Sequence, residues 1–171
     1  AIPVGKDSLS MRTNWEEDGN EYQVVAPVSL IVSAFAPVKN IRNHLTPDLK
    51  RINERSKLLL IDLGQGTERL GGSVLAQVFN LKGGLAPDVD IPSRLKVFFD
   101  GIQTLIKEKL ILAYHDRSDG GLLATITEMM FAGHLGVSIN LSGSAEKTLR
   151  YLFNEELGAV IQVAESQLSD V

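Results

Sequence analysis

The chain has 171 residues, 44% hydrophobic and 22% charged, with no cysteine and a net charge of −4. That length holds one ordinary domain, or one domain and part of another, with a core that needs no covalent staples. The lack of thiols excludes disulfides, cysteine-ligated metals and a cysteine nucleophile, and 17 basic residues interspersed with 21 acidic ones argue against a nucleic-acid or anionic-membrane partner. No run of about 18 apolar residues marks a spanning helix. Residues 1–6 lack the basic-then-apolar pattern of a signal peptide. The expected compartment is the cytoplasm.

In chain order, residues 1–20 are polar and end in a turn at Asp18-Gly19-Asn20. Residues 28–35 form a β-branched run between Pro27 and Pro37, which predicts a buried strand. Residues 38–56 are charged and contain Pro47; a short helix, a loop and a boundary are expected there. Residues 58–63 read as a continuous apolar strand, and 64–72 as a loop. A short helix follows over 73–80, with Val74, Leu75 and Val78 on its inner face. After a loop from Gly83, Ser93 is expected to cap a long helix reaching about residue 110. Residues 110–115 predict a strand and 122–132 an amphipathic helix burying Leu122, Ile126, Met129 and Met130. Residues 136–141 alternate as a strand, 145–153 read as a helix and 158–163 as the last strand. The sum predicts an α+β fold, a mixed sheet flanked by helices, rather than a purely parallel doubly wound one. Both ends read as cut. A natural start rarely falls inside a run such as Ile2-Pro3-Val4-Gly5-Lys6, and residues 165–171 read as the start of a helix, capped by Ser166, that then stops. A fragment of a longer protein is expected; a natural small protein with frayed ends is the alternative.

The strongest chemical motif is Tyr114-His115-Asp116-Arg117-Ser118-Asp119-Gly120-Gly121. A strand there runs into carboxylates, a hydroxyl and two glycines before a helix. Free N–H groups at that helix start favour an anion, and Gly120 and Gly121 allow a phosphate near the backbone. Asp116 and Asp119 are hard oxygen donors suited to Mg²⁺, which takes one or two carboxylates with phosphate and water. The alternative is that Ser118 or Asp119 only caps the helix and the glycines only turn the chain. His115 beside Asp116 forms a candidate dyad, though a lone histidine at a strand end is more often structural; His44 and His134 lack metal-ligand spacing. Gly64-Gln65-Gly66-Thr67-Glu68-Arg69 lacks the third glycine of a dinucleotide fingerprint, and Leu70-Gly71-Gly72-Ser73 reads as a phosphate loop or a tight turn. Gly5-Lys6-Asp7-Ser8 is not a Walker motif, yet Lys6 and Ser8 can bind a phosphate ester. Glu155-Glu156 reads as a helix end leading into the last strand rather than a catalytic carboxylate pair.

Four motifs in this order carry a resemblance: Pro3-Val4-Gly5-Lys6-Asp7-Ser8-Leu9-Ser10-Met11, Leu70-Gly71-Gly72-Ser73-Val74-Leu75-Ala76-Gln77, His115-Asp116-Arg117-Ser118-Asp119-Gly120-Gly121-Leu122 and Phe153-Asn154-Glu155-Glu156-Leu157-Gly158. Together they resemble the long-chain bacterial phosphoribosylformylglycinamidine synthases, over essentially the whole chain. In that family two halves, each like aminoimidazole ribonucleotide (AIR) synthetase, precede a glutaminase domain. The resemblance implies a piece of the second half. Residues 1–45 would be the tail of its N-terminal subdomain, and 46–171 its C-terminal subdomain, a truncated sheet-and-helix domain lacking its last elements. The family reaction joins ATP, formylglycinamide ribonucleotide and glutamine, through an iminophosphate that ammonia displaces. The resemblance implies Mg²⁺ and ATP or ADP as cofactors, Asp116 as a metal ligand, and Ser118, Gly120, Gly121, Lys6 and Ser8 near the nucleotide or ribonucleotide phosphate. It also implies a glutaminase domain elsewhere as partner, an isolated chain that is inactive, and either a reacting or a structural nucleotide at Asp116. Exposed strand edges at 29–35 and in the cut sheet predict a homodimer or an interface with further domains. A stand-alone AIR-synthetase-like enzyme and a non-catalytic scaffold are the competing readings.

Overall fold

The structure, a computed structural model, describes residues 4–5, 11–26, 31–38 and 40–171. The chain divides into two compact units, Ala1–Lys39 and Asn40–Val171. In the first, β1 (Met11–Glu17) and β2 (Asn20–Ala26) pair antiparallel, with Met11 opposite Ala26. Asp18 and Gly19 close the hairpin with φ of 51° and 76°, the backbone twist that a two-residue loop between right-twisted strands requires. Trp15 and Tyr22 face each other across the ladder and stack with ring centroids 5.3 Å apart. The buried strand predicted over 28–35 is not observed. Residues 31–35 have no ladder, and Ile31 and Phe35 are almost fully exposed. β-branched composition supplies propensity, but no described strand lies alongside to bond it. Residues 28–30 lie outside the described residues.

The second unit is built on β3 (Ser56–Asp62), α1 (Val74–Val78), α2 (Pro92–Glu108), β4 (Ala113–Asp116), α3 (Gly121–Gly133), α4 (Ala145–Phe153) and β5 (Gly158–Ala164). The sheet order is β3-β5-β4, and both ladders are antiparallel. This is the expected α+β class, with helices on both faces. β5 is central and apolar on both sides, and six of its seven residues are buried. One core joins Leu122, Ile126 and Met129 of α3 to Ala113 and Val160, with Leu58 and Leu60 against them. The other joins Ile102 of α2 to Ile161 and Val163, with Leu59, Ile61 and Tyr114. The alternation of side chains along the strands sends each set to its own face. Gln162 is the polar exception in β5. Its amide donates to Lys50 O and Ser56 Oγ, both at 2.9 Å, and accepts from Lys50 N at 2.8 Å, so its burial leaves nothing unpaired.

Several local expectations are corrected. Residues 40–55 hold turns rather than a helix; Pro47 lacks a donor, and Asn40, Thr46 and Asp48 bond locally instead. In α1 the buried residue is Ala76, while Val74 and Val78 are exposed. α2 starts at Pro92, which fills the first helical position without a side-chain cap, so Ser93 is not the cap. Residues 136–141 alternate in sequence but join no ladder among the described residues. Glu165–Gln167 is a single 3₁₀ turn, and Ser166 bonds Glu54 instead of capping a helix. No helix among the described residues is long and apolar enough to cross a membrane.

Candidate functional site

The ends of β3 and β4 and the start of β5 meet at one end of the sheet, where Asp62 pairs with Gly158 and Asp116 with Ala159. Residues 63–73, 117–120 and 154–157 converge there. Asp116, Ser118 and Asp119 are exposed on this rim. The Tyr114 hydroxyl donates to Asp116 Oδ1 at 2.5 Å. Burial, and then that bond to the Asp116 carboxylate, push the phenol well above its ordinary range, so it stays a neutral donor. One carboxylate oxygen of Asp116 is thereby fixed. Among the described residues no three or more His, Asp or Glu gather as a complete metal site. Asp116 fits Mg²⁺ as a single tethered, solvent-facing carboxylate, since that ion fills its remaining positions with water and phosphate.

The predicted N–H cradle at α3 is partly used by the chain itself. Its N-cap is Gly120, with no side-chain cap bond, so neither Ser118 nor Asp119 caps the helix. The Gly120 N–H donates to Glu155 Oε1 at 2.8 Å rather than standing free, and Gly121 N donates to Ser118 O at 2.9 Å. Gly121 has φ of 70°, and a Cβ there would lie 2.6 Å from Asn154 O and 2.8 Å from Leu152 O. Its lack of a side chain is accounted for by the packing of α3 against the end of α4. Lys6 and Ser8 lie outside the described residues. His115 does not pair with Asp116: the two point to opposite faces of β4, and His115 Nε2 meets Glu128 Oε2 at 2.7 Å. His44 Nδ1 lies 2.5 Å from Ile41 O, and His134 ends α3 in the left-handed conformation.

Beneath the rim lies a chain of ion pairs. Glu156 is 1% exposed. Its carboxylate receives Arg69 Nε and Nη2, each at 2.7 Å, Arg69 N at 2.9 Å and the Thr67 hydroxyl at 2.8 Å. Burial alone would raise its pKa, but the hydrogen bonds from Arg69 and Thr67 outweigh it and hold the carboxyl below its ordinary value. Arg69 also grips Asp90 at 2.7 and 3.1 Å, and Glu156 first, then Asp90, push the guanidinium still further up. Arg117 turns inward: it donates to Glu156 O and Asp62 Oδ1, both at 2.5 Å, and to Leu157 O at 3.0 Å. Asp62 also accepts Gly64 N at 3.2 Å and Gly66 N at 2.8 Å, so the dinucleotide-like loop folds onto a carboxylate of its own chain. Ser73 caps α1 by accepting from Ala76 N at 3.2 Å.

Arg69 and Arg117 are thus committed to internal carboxylates. The chemistry left on the rim is hard-oxygen donation by Asp116 and Asp119, with the Ser118 hydroxyl beside them. The sequence reading missed Arg117, Glu155 and Glu156 as the supports of this rim. The available signal was two arginines in glycine loops near two acids at the start of an apolar strand, because buried acids need partners. Two family models match the chain: the FGAR-AT PurM_N-like domain over residues 1–37, and the AIR synthase related protein, C-terminal domain, over residues 57–171. The second spans well over half of the chain.

Proposed function

Since the chain belongs to the AIR synthase related family, we propose that it forms one wall of a Mg-nucleotide site in an ATP- and glutamine-dependent ligase that makes formylglycinamidine ribonucleotide. Domains of this family are characteristic of ATP-dependent enzymes of the purine pathway. The two family matches occur in one chain and in that order, which supports the ligase among them. The observation that carries the reading is the rim itself: a tethered, exposed Asp116 followed by exposed Ser118 and by Gly120-Gly121 at the start of α3. Asp116 would hold Mg²⁺ there, and the ion would supply positive charge against the nucleotide phosphates. Asp116 would present its untethered oxygen to the ion, while Tyr114 keeps the carboxylate oriented. Ser118 would offer its hydroxyl to the phosphate chain. Arg117 would hold the loop from below without touching the ligand. The chain has no cysteine to release ammonia from glutamine, so ammonia would come from a glutaminase domain.

A second reading, a purely structural loop, draws on one specific observation: the Gly120 N–H already has Glu155 as its acceptor and Gly121 is explained by packing. Calorimetric titration of Mg-ATP separates the two. The nucleotide reading predicts binding that Asp116→Ala abolishes with the fold intact. Equal binding by both proteins favours the structural loop.

A further inference from the structure

Glu155 belongs neither to the metal-facing rim nor to the buried ion pairs. Its Oε1 accepts two backbone N–H groups, from Gly120 and from Val74, each at 2.8 Å. Gly120 is the N-cap of α3 and Val74 the first residue of α1, so one oxygen ties two loops that are far apart in the chain. Both donors sit where a negative charge is favoured, and an ionised acceptor makes the bonds stronger than neutral ones.

The backbone that carries Glu155 is fixed on both sides. Asn154, 1% exposed, donates to Arg150 O at 2.7 Å and to Tyr151 O at 3.2 Å, and accepts from Glu156 N at 3.3 Å. Glu156 in turn holds Thr67 and Arg69. The clasp therefore starts from a rigid base and ends on a glycine with φ of 84°, a residue free to wander when untethered. Gly121 N passes the constraint on to Ser118 O.

We propose that Glu155 is a positioning residue for the nucleotide loop: by holding Gly120 against the start of α1 it sets where Ser118 stands relative to Asp116. This assignment rests on the Mg-nucleotide reading above. The test is calorimetric titration of Mg-ATP into the wild-type chain and into Glu155→Ala, Glu155→Gln and Glu155→Asp, well below each thermal midpoint. Glu155→Ala is expected to weaken binding by about 10–100-fold, the usual cost of losing a group that orients a ligand-holding one. Glu155→Gln keeps an acceptor oxygen at the same reach and is expected to stay within about threefold. Glu155→Asp keeps the charge but is one methylene short, and is expected to bind more weakly than Glu155→Gln. That order carries the proposal even where the alanine variant does not fold, and the reverse order overturns it. Wild-type affinity in a folded Glu155→Ala overturns the proposal alone. Tighter binding by that variant also overturns it, because Glu155 would then be competing with the phosphate. Wild-type binding that Asp116→Ala leaves unchanged removes the nucleotide reading and this assignment together.

Discussion

Arg117 stands between the two residues proposed to face the nucleotide, yet its side chain is 2% exposed and bonded to Asp62 and to two carbonyls. The Asp62 side chain is 30% exposed and keeps its bonds from Gly64 N and Gly66 N, so Arg117→Ala chiefly takes the guanidinium donors from the carbonyls of Glu156 and Leu157, and is predicted to cost about 1–3 kcal/mol in urea unfolding. Asp62→Asn in the same protein should add less than its separate effect, because the two changes break one contact. Gly121→Ala tests the packing account of that glycine. A positive φ and a Cβ 2.6 Å from Asn154 O predict a loss of about 1–3 kcal/mol; an unchanged urea midpoint would contradict it. At this scale the sequence was only partly legible. Asp116 and Ser118 stood out by residue type at a strand end, but the inward turn of Arg117 depends on the Asp62 carboxylate 55 positions before it and the Glu156 carbonyl 39 positions after it.

At the scale of elements, the strongest patterns were read well. α3 buries Leu122, Ile126 and Met129 as its periodicity requires. Met129→Ala, at 0% exposure beside β4 and β5, is predicted to cost about 2–5 kcal/mol in the same urea assay. The errors share one cause. Residues 31–35 and 136–141 carry strand-like composition, yet a strand exists only with a partner, and local sequence does not supply one. The same reasoning applies to the β1–β2 hairpin, whose residues are all exposed. A two-stranded hairpin alone is marginal in water. A peptide of residues 11–26 is therefore predicted to be mostly unfolded by circular dichroism and NMR.

At the scale of the whole molecule, the α+β class followed from alternating helices and apolar runs. The strand order β3-β5-β4 did not, because it depends on long-range pairing that brings Asp62 and Asp116 to either side of the start of β5. That pairing assembles the ion-pair base and gives it a pH signature. The folded pKa of Glu156 lies below its unfolded value, so its contribution is complete above about pH 4.5 and is lost as pH falls through the folded value. Urea midpoints measured from neutral to acid pH should fall in that window, and Glu156→Gln should be less stable at neutral pH with a flatter acid limb. The central claim is that residues 114–121 form the metal–nucleotide corner. Its most direct test is NMR of the labelled chain with Mn-ADP, the paramagnetic ion standing in for Mg²⁺. The account predicts selective broadening of the amides of Asp116, Ser118 and Gly120, lost in Asp116→Ala. Nucleotide binding that leaves those amides sharp while broadening others would contradict it.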